Sequence, residues 1–191
     1  MAKLLFFAGS ARAESINKKL AQAAAEMARD VGTEVTFVDL KDYPMPLYDG
    51  DLEERDGVPE TAQKLKALFV EHDGFFIASP EFNSSITPLL KNTLDWVSRP
   101  HEENEEMLIA YKGKVAALGA TSPGALGGLR GLVPLRMILG NIGVHVVPTQ
   151  AAIGGGFKAF DDDGTLKEER QVKLLKTTID ELVATVDRLK G

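Results

Sequence analysis

The residues of this 191-residue chain whose types and spacing could do chemistry fall in three loops. The first, Gly9 to Asn17 (GSARAESIN), leads directly into a helical pattern. A helix N-terminus offers unpaired backbone N–H groups and a partial positive charge, which suit a phosphate. Ser10, Ser15 and Asn17 can add hydrogen-bond donors, and Arg12 a planar guanidinium. The segment matches neither G-x-x-x-x-G-K-[ST] nor G-x-G-x-x-G, so neither a P-loop nucleotidase nor a Rossmann-type dinucleotide site is supported. Taken alone, the phosphate reading stands level with a plainer one, in which Ser15 or Asn17 caps the helix and Arg12 is solvated.

The second loop, Ser79 to Pro88 (SPEFNSSITP), sets the aromatic Phe82 among polar residues where a planar ring could stack, with Asn83 beside it to bond a polar ring edge. On residue type alone, Asn83 as a turn residue and Phe82 as a lid on the core is the stronger reading. The third loop, Thr121 to Gly131 (TSPGALGGLRG), has glycines at 124, 127 and 128. They admit either a flat ligand or a closely packed helix, and both readings fit.

Cysteine is absent, which excludes disulfides, thiolate-bound metals and a thiol nucleophile. Any redox chemistry must therefore ride on a bound organic cofactor. His72, His101 and His145 lack metal-site spacing, and the run from His101 to Glu106 (HEENEE) reads as a solvated connection. Asp161 to Gly164 reads as a turn rather than a calcium loop. The net charge of −6 disfavours nucleic-acid backbones as partners. The apolar run at the N-terminus falls well short of the ~18 residues of a membrane span, so the expectation is a soluble, cytoplasmic protein.

The elements that must position these loops alternate along the chain. Strands are expected at Lys3–Ala8, Glu34–Leu40, Gly74–Ser79, Lys114–Thr121 and Val144–Thr149. Helices are expected at Ile16–Val31, Pro59–Glu71, Thr87–Ser98, Leu126–Ile142 and Glu168–Leu189, with Thr87 as N-cap and Pro88 in the first turn. Proline and glycine mark Tyr43–Val58 as loop. Trp96 reads as core, and Asp95 with Arg99 as an i,i+4 pair. Five strands with interleaved helices predict a doubly wound α/β fold in one domain over residues 1–191, with function in the loops at the carboxyl ends of the strands.

In this order, GSARAESINKKLA, SPEFNSSITPLLKNTLDWVSRP and TSPGALGGLRG resemble the NADPH-dependent FMN reductase family, which includes bacterial soluble quinone, azo-dye and chromate reductases. The resemblance runs from the first strand to about Thr149, and its second motif is the most specific. It implies a flavodoxin-like five-stranded parallel sheet of order 2-1-3-4-5, with FMN as cofactor and NADPH or NADH as co-substrate. Ser10, Arg12, Ser15 and Asn17 are then expected at the FMN phosphate, with Ile16 in the same cofactor-binding set. Pro80, Glu81, Phe82, Asn83 and Ser84 are expected along the isoalloxazine, and Ser122, Pro123 and Gly124 at its other edge. The family usually has Tyr at position 82 and Gly at position 84.

The resemblance also implies a hydride passed from NAD(P)H to FMN and then two electrons to a quinone-like acceptor, by a ping-pong route. No metal and no catalytic side chain is nominated. A homodimer or homotetramer is expected from the family alone. The competing reading is a flavodoxin-like electron carrier or flavin-binding module that does not meet a nicotinamide. The long segments Tyr43–Val58 and Pro100–Lys112 argue against it, because a carrier needs an accessible flavin edge.

Overall fold

The structure is a computed structural model that describes all 191 residues. Strands β1 (Lys3–Ala8), β2 (Glu34–Val38), β3 (Gly74–Ala78), β4 (Val115–Thr121) and β5 (His145–Ile153) form one sheet of order β2-β1-β3-β4-β5. Every pairing is parallel. Helices α1 (Ile16–Asp30), α2 (Gly50–Asp56), α3 (Glu60–Glu71), α4 (Pro88–Val97), α5 (Leu129–Asn141) and α6 (Glu169–Lys190) complete the flavodoxin-like fold. None of them is long and apolar enough to cross a membrane.

Side chains alternate across a strand, so the continuous apolar runs of β1, β3 and β4 fill two cores at once. Leu4, Phe6, Ala8, Phe76 and Ala117 pack under α1 and α6 with Leu20, Ala24, Ile179 and Leu182. Leu5, Phe7, Phe75, Ile77 and Leu118 pack under α3, α4 and α5 with Phe69, Leu90, Leu94 and Leu135. The chain leaves β1 toward β2 on one side and returns at β3 on the other. That reversal opens a crevice beyond the carboxyl ends of β1 and β3.

Thr87 caps α4 as expected, its Oγ1 accepting from Leu90 N–H at 3.1 Å, and Pro88 occupies the first turn. The same hydroxyl donates to Gly9 O at 2.7 Å, so it ties the loop after β1 to the helix after β3.

Five expectations need correction. Strand β5 runs on to Ile153 instead of ending at Thr149. The segment Tyr43–Val58 contains α2, which starts because Asp49 accepts from the N–H groups of Asp51 and Leu52. Helix α5 begins at Leu129 rather than Leu126, because Gly127 and Gly128 have φ of +60° and +84° and hold the chain out of helical geometry. Asp95 pairs with Lys91, one turn back, and not with Arg99. Arg99 lies beyond the C-cap Ser98 and before Pro100, and its guanidinium reaches Glu53 instead. Within HEENEE, Glu105 is not solvated: its side chain is only 8% exposed and pairs with Lys66.

Candidate functional site

A cleft of about 490 Å³ opens at the carboxyl ends of β1, β3 and β4. Three loops build it. Ser10, Arg12, Ser15, Ile16 and Asn17 contribute from the first, Pro80, Glu81 and Phe82 from the second, and Ser122 and Pro123 from the third. Asn83 and Ser84 form the tip of a turn outside its lining, and Gly124 lines a neighbouring cavity.

At the first wall, Ser15 occupies the N-cap position of α1 in extended geometry, yet its side chain makes no cap hydrogen bond. The first turn carries no acidic residue. The helix therefore presents its N-terminal donors and partial positive charge to the cleft with no internal partner for them. Arg12 is exposed, and the arginines that pair with carboxylates of the chain are Arg29, Arg55, Arg99 and Arg130. An unpaired guanidinium beside an uncapped helix start is a donor set for an anion.

Asn17 takes a part that residue type did not suggest. Its Nδ2 donates to Thr121 O at 2.9 Å, and its Oδ1 accepts from Thr121 N–H at 3.0 Å. The side chain is buried, and this two-bond brace fixes α1 to the end of β4. It sets the distance between two walls of the cleft.

The second wall is a tight turn. Phe82 N–H donates to Ser85 O at 2.9 Å and Ser85 N–H to Phe82 O at 3.0 Å. Asn83 and Ser84 sit between them at φ of +51° and +67°, the two left-handed residues that a type I′ turn requires. The turn holds Phe82 away from the core, and the residue is 56% exposed beside the cleft. Where glycine would adopt this geometry freely, Ser84 adopts it under strain. The Asn83–Ser84 step thus keeps the backbone that Asn–Gly favours. Glu81, by contrast, has a side chain only 9% exposed, and Arg130 of α5 clamps it at 2.7 Å.

The glycines of the third loop divide between the two readings. A Cβ at Gly127 would meet the Ile153 backbone at 2.6 Å, and one at Gly128 would meet Ala120 Cβ at 2.9 Å. These two serve close packing of the α5 start on the sheet. A Cβ at Gly124 would find nothing nearer than Ser122 Oγ at 3.9 Å, so its backbone faces open space.

Phe157 lines the cleft from the segment between β5 and α6, and it is 68% exposed. Sequence reasoning missed it, as it missed Glu14, Thr87 and Thr121 as lining residues. The signal for Phe157 was an aromatic directly after three glycines, Gly154 to Gly156. A side chain at Gly156 would collide with Thr121 Oγ1 and Ile16 Cδ1, so the glycine lets this segment lie against α1.

The donor set fits FMN. Hydroxyls, an unpaired guanidinium and a helix N-terminus line the same cleft as two exposed aromatic side chains, Phe82 and Phe157. Residues 2–158 match the NADPH-dependent FMN reductase family. The chain is 33% identical to an NAD(P)H:quinone oxidoreductase of Solanum tuberosum over 194 residues, covering 99% of this chain and 95% of that protein. It is 32% identical to a 2-hydroxy-1,4-benzoquinone reductase of a Burkholderia species over 185 residues, covering 96% of each. The solved flavoenzyme NAD(P)H:(acceptor) oxidoreductase of Paracoccus denitrificans superposes with a TM-score of 0.83 at 28% identity, covering 98% of both chains. Sheet order, cleft and sequence agree on one assignment: the chain belongs to the NADPH-dependent FMN reductase family and is an NAD(P)H-dependent FMN reductase or quinone reductase.

Proposed function

We propose that residues 1–191 form a single FMN-binding domain that oxidises NAD(P)H and reduces a quinone-like acceptor by a ping-pong route. Bound FMN supplies the hydride and two-electron chemistry in two separate half-reactions. Ser10, Arg12 and Ser15 hold the phosphate with the backbone N–H groups of Ile16 and Asn17, since the Asn17 side chain is committed to Thr121. Pro80, Glu81 and Phe82 line the ring on one side, with Asn83 and Ser84 supporting Phe82. Ser122 and Pro123 form the other edge, with Gly124 beside them in the neighbouring cavity. No acid or base on the chain is needed at the reacting ring atom, so the residues bind, orient and shield. The alternation of two substrates fits one open cleft better than two separate sites.

The observation that carries this reading is the pairing within one cleft of an uncapped helix start and a free Arg12 with an exposed Phe82. Relatives named as quinone reductases support the acceptor class. Leu129, Val133 and Met137 lie exposed at helical spacing along α5, which supports assembly as a homodimer or homotetramer. A nicotinamide reductant is an intracellular metabolite, which supports a cytoplasmic location.

Titration of FMN and riboflavin into the apoprotein tests the phosphate assignment. The wild type should prefer FMN, and Arg12→Ala should remove most of that preference. Equal affinity of the wild type for both flavins contradicts the assignment.

A further inference from the structure

A second cavity, of about 390 Å³, adjoins the cofactor cleft and shares Glu81 and Ser122 with it. Its remaining lining comes from Gly124, Ala125, Leu126, Gly128 and Arg130. Arg130 is its only cation. Nε and Nη2 of Arg130 engage Glu81 Oε1 at 2.8 and 2.7 Å, which fixes the guanidinium plane and leaves its Nη1 hydrogens unused. The side chain remains 62% exposed, so the pair is half anchored and half presented to solvent. Glu81 is the only carboxylate in the lining, and Arg130 already neutralises it. The backbone N–H groups of Gly128 and Arg130 are bonded to no other group of the chain, while those of Gly127, Leu129 and Gly131 are.

We propose that this cavity seats a phosphate of the nicotinamide reductant and that Arg130 determines the enzyme's affinity for it. The inference rests on the reading of the adjoining cleft as the FMN site. A reductant whose ring reacts in the cleft carries its nearest phosphates a ribose away from that ring, so it needs an anion site displaced from the reacting centre but continuous with it. The shared Glu81 and Ser122 provide that continuity. A quinone is small and planar, and it has no group to place so far from the ring. On a chain of net charge −6, a polyanionic reductant also needs a local cation to approach. With Arg12 assigned to the FMN phosphate, Arg130 is the cation left at the site. A planar guanidinium held on one edge by a carboxylate presents its other edge to phosphate oxygens at little entropic cost.

The test uses FMN-loaded wild type, Arg130→Ala and Arg130→Lys. KM is measured for NADPH, for NADH and for N-benzyl-1,4-dihydronicotinamide, which has no phosphate, and also for a benzoquinone acceptor. The Kd for NADP⁺ is measured by calorimetry as a readout independent of turnover. Arg130→Ala should raise the NADPH KM and the NADP⁺ Kd on the order of tenfold. Made in a Glu81→Gln background, where no carboxylate is left unpaired beside the ring, the same change should leave the KM for the benzyl compound and for the quinone within about twofold. A loss confined to NADPH assigns Arg130 to the 2′-phosphate, and an equal loss for NADH assigns it to the pyrophosphate. Arg130→Lys should recover part of the affinity through its charge. An unchanged NADPH KM, or an equal rise with the benzyl compound in the Glu81→Gln background, overturns the subsite. A wild type that takes up no FMN overturns the underlying reading instead, so the two failures are distinct.

Discussion

In the cleft, Arg12 pairs with no carboxylate, Ser15 caps nothing and Phe82 stands exposed. Under the segments Tyr43–Val58 and Pro100–Lys112, the corresponding groups are all engaged. Trp96 Nε1 donates to Pro46 O at 2.8 Å, and Asn92 holds both Pro46 O and Tyr48 N–H. Glu53 accepts from Arg99 Nε at 2.7 Å and from Tyr48 OH at 2.9 Å, while the Arg99 guanidinium lies over the Tyr48 ring. Lys66 joins Glu105 to Arg99 O, which fastens the second segment to α3. Helix α4 and the turn before it belong to both regions. The motif from Ser79 to Pro100 therefore splits by function: its first third lines the cleft, and its last third straps two long segments to the fold. Unpaired donors mark a place for a ligand, whereas paired ones mark a built scaffold.

Breaking the scaffold should cost stability, and breaking the cleft should cost affinity. Trp96→Ala removes a fully buried ring and its bond to Pro46, and it should lower unfolding free energy by ~3–5 kcal/mol, read by urea denaturation. Any flavin that the surviving folded fraction binds should be held with wild-type affinity. Arg12→Ala does the reverse, weakening FMN by ~1.5–3 kcal/mol, roughly ten- to a hundredfold, with the urea midpoint unmoved. An unchanged FMN dissociation constant would mean that Arg12 is a solvated side chain.

Acid should act on the scaffold first. Burial pushes the carboxyls of Glu53 and Glu105 up, but hydrogen bonds from Arg99 and Tyr48 to one and from Lys66 and His101 to the other outweigh it and hold both below the usual carboxylate range. A carboxyl whose folded pKa lies below its unfolded one stabilises the protein above the unfolded value. That contribution is lost as pH falls through the folded value. Burial also holds the His72 imidazole below its usual range, so its share of stability begins to fall below about pH 6.5. Urea midpoints should decline in two stages from pH 7 to pH 3, and Glu53→Gln should flatten the lower stage. A decline that Glu53→Gln leaves unaltered would remove this ion pair from the account.

Phe82→Ala should weaken flavin binding by ~1 kcal/mol or shift its potential without lowering the melting temperature, because the ring is exposed. Global unfolding would instead make Phe82 part of the core. The smallest effect expected is Ser84→Gly. Relief of the left-handed strain should raise stability by ~0.5–1 kcal/mol, and a loss would mean that the Ser84 side chain makes contacts that outweigh the strain.

The sheet was legible because β1, β3 and β4 are continuous apolar runs, a pattern that burial on both faces demands. Thr87 and Pro88 announced α4 by local capping chemistry alone. What stayed hidden depends on partners distant in sequence. The Asn17 brace spans 104 residues, and Arg99 chooses Glu53, 46 residues away, over its neighbour Asp95. Phe157 reaches the cleft only because β5 extends to Ile153 and Gly156 lets the chain turn against α1, neither of which its own residue type encodes.

The most direct test is an anaerobic absorbance spectrum of FMN-loaded protein before and after one equivalent of NADPH, followed by a quinone. Rapid two-electron bleaching that the quinone restores is the predicted result. A bound flavin that stays oxidised with NADPH would contradict the reductase account and leave a flavin-binding carrier in its place.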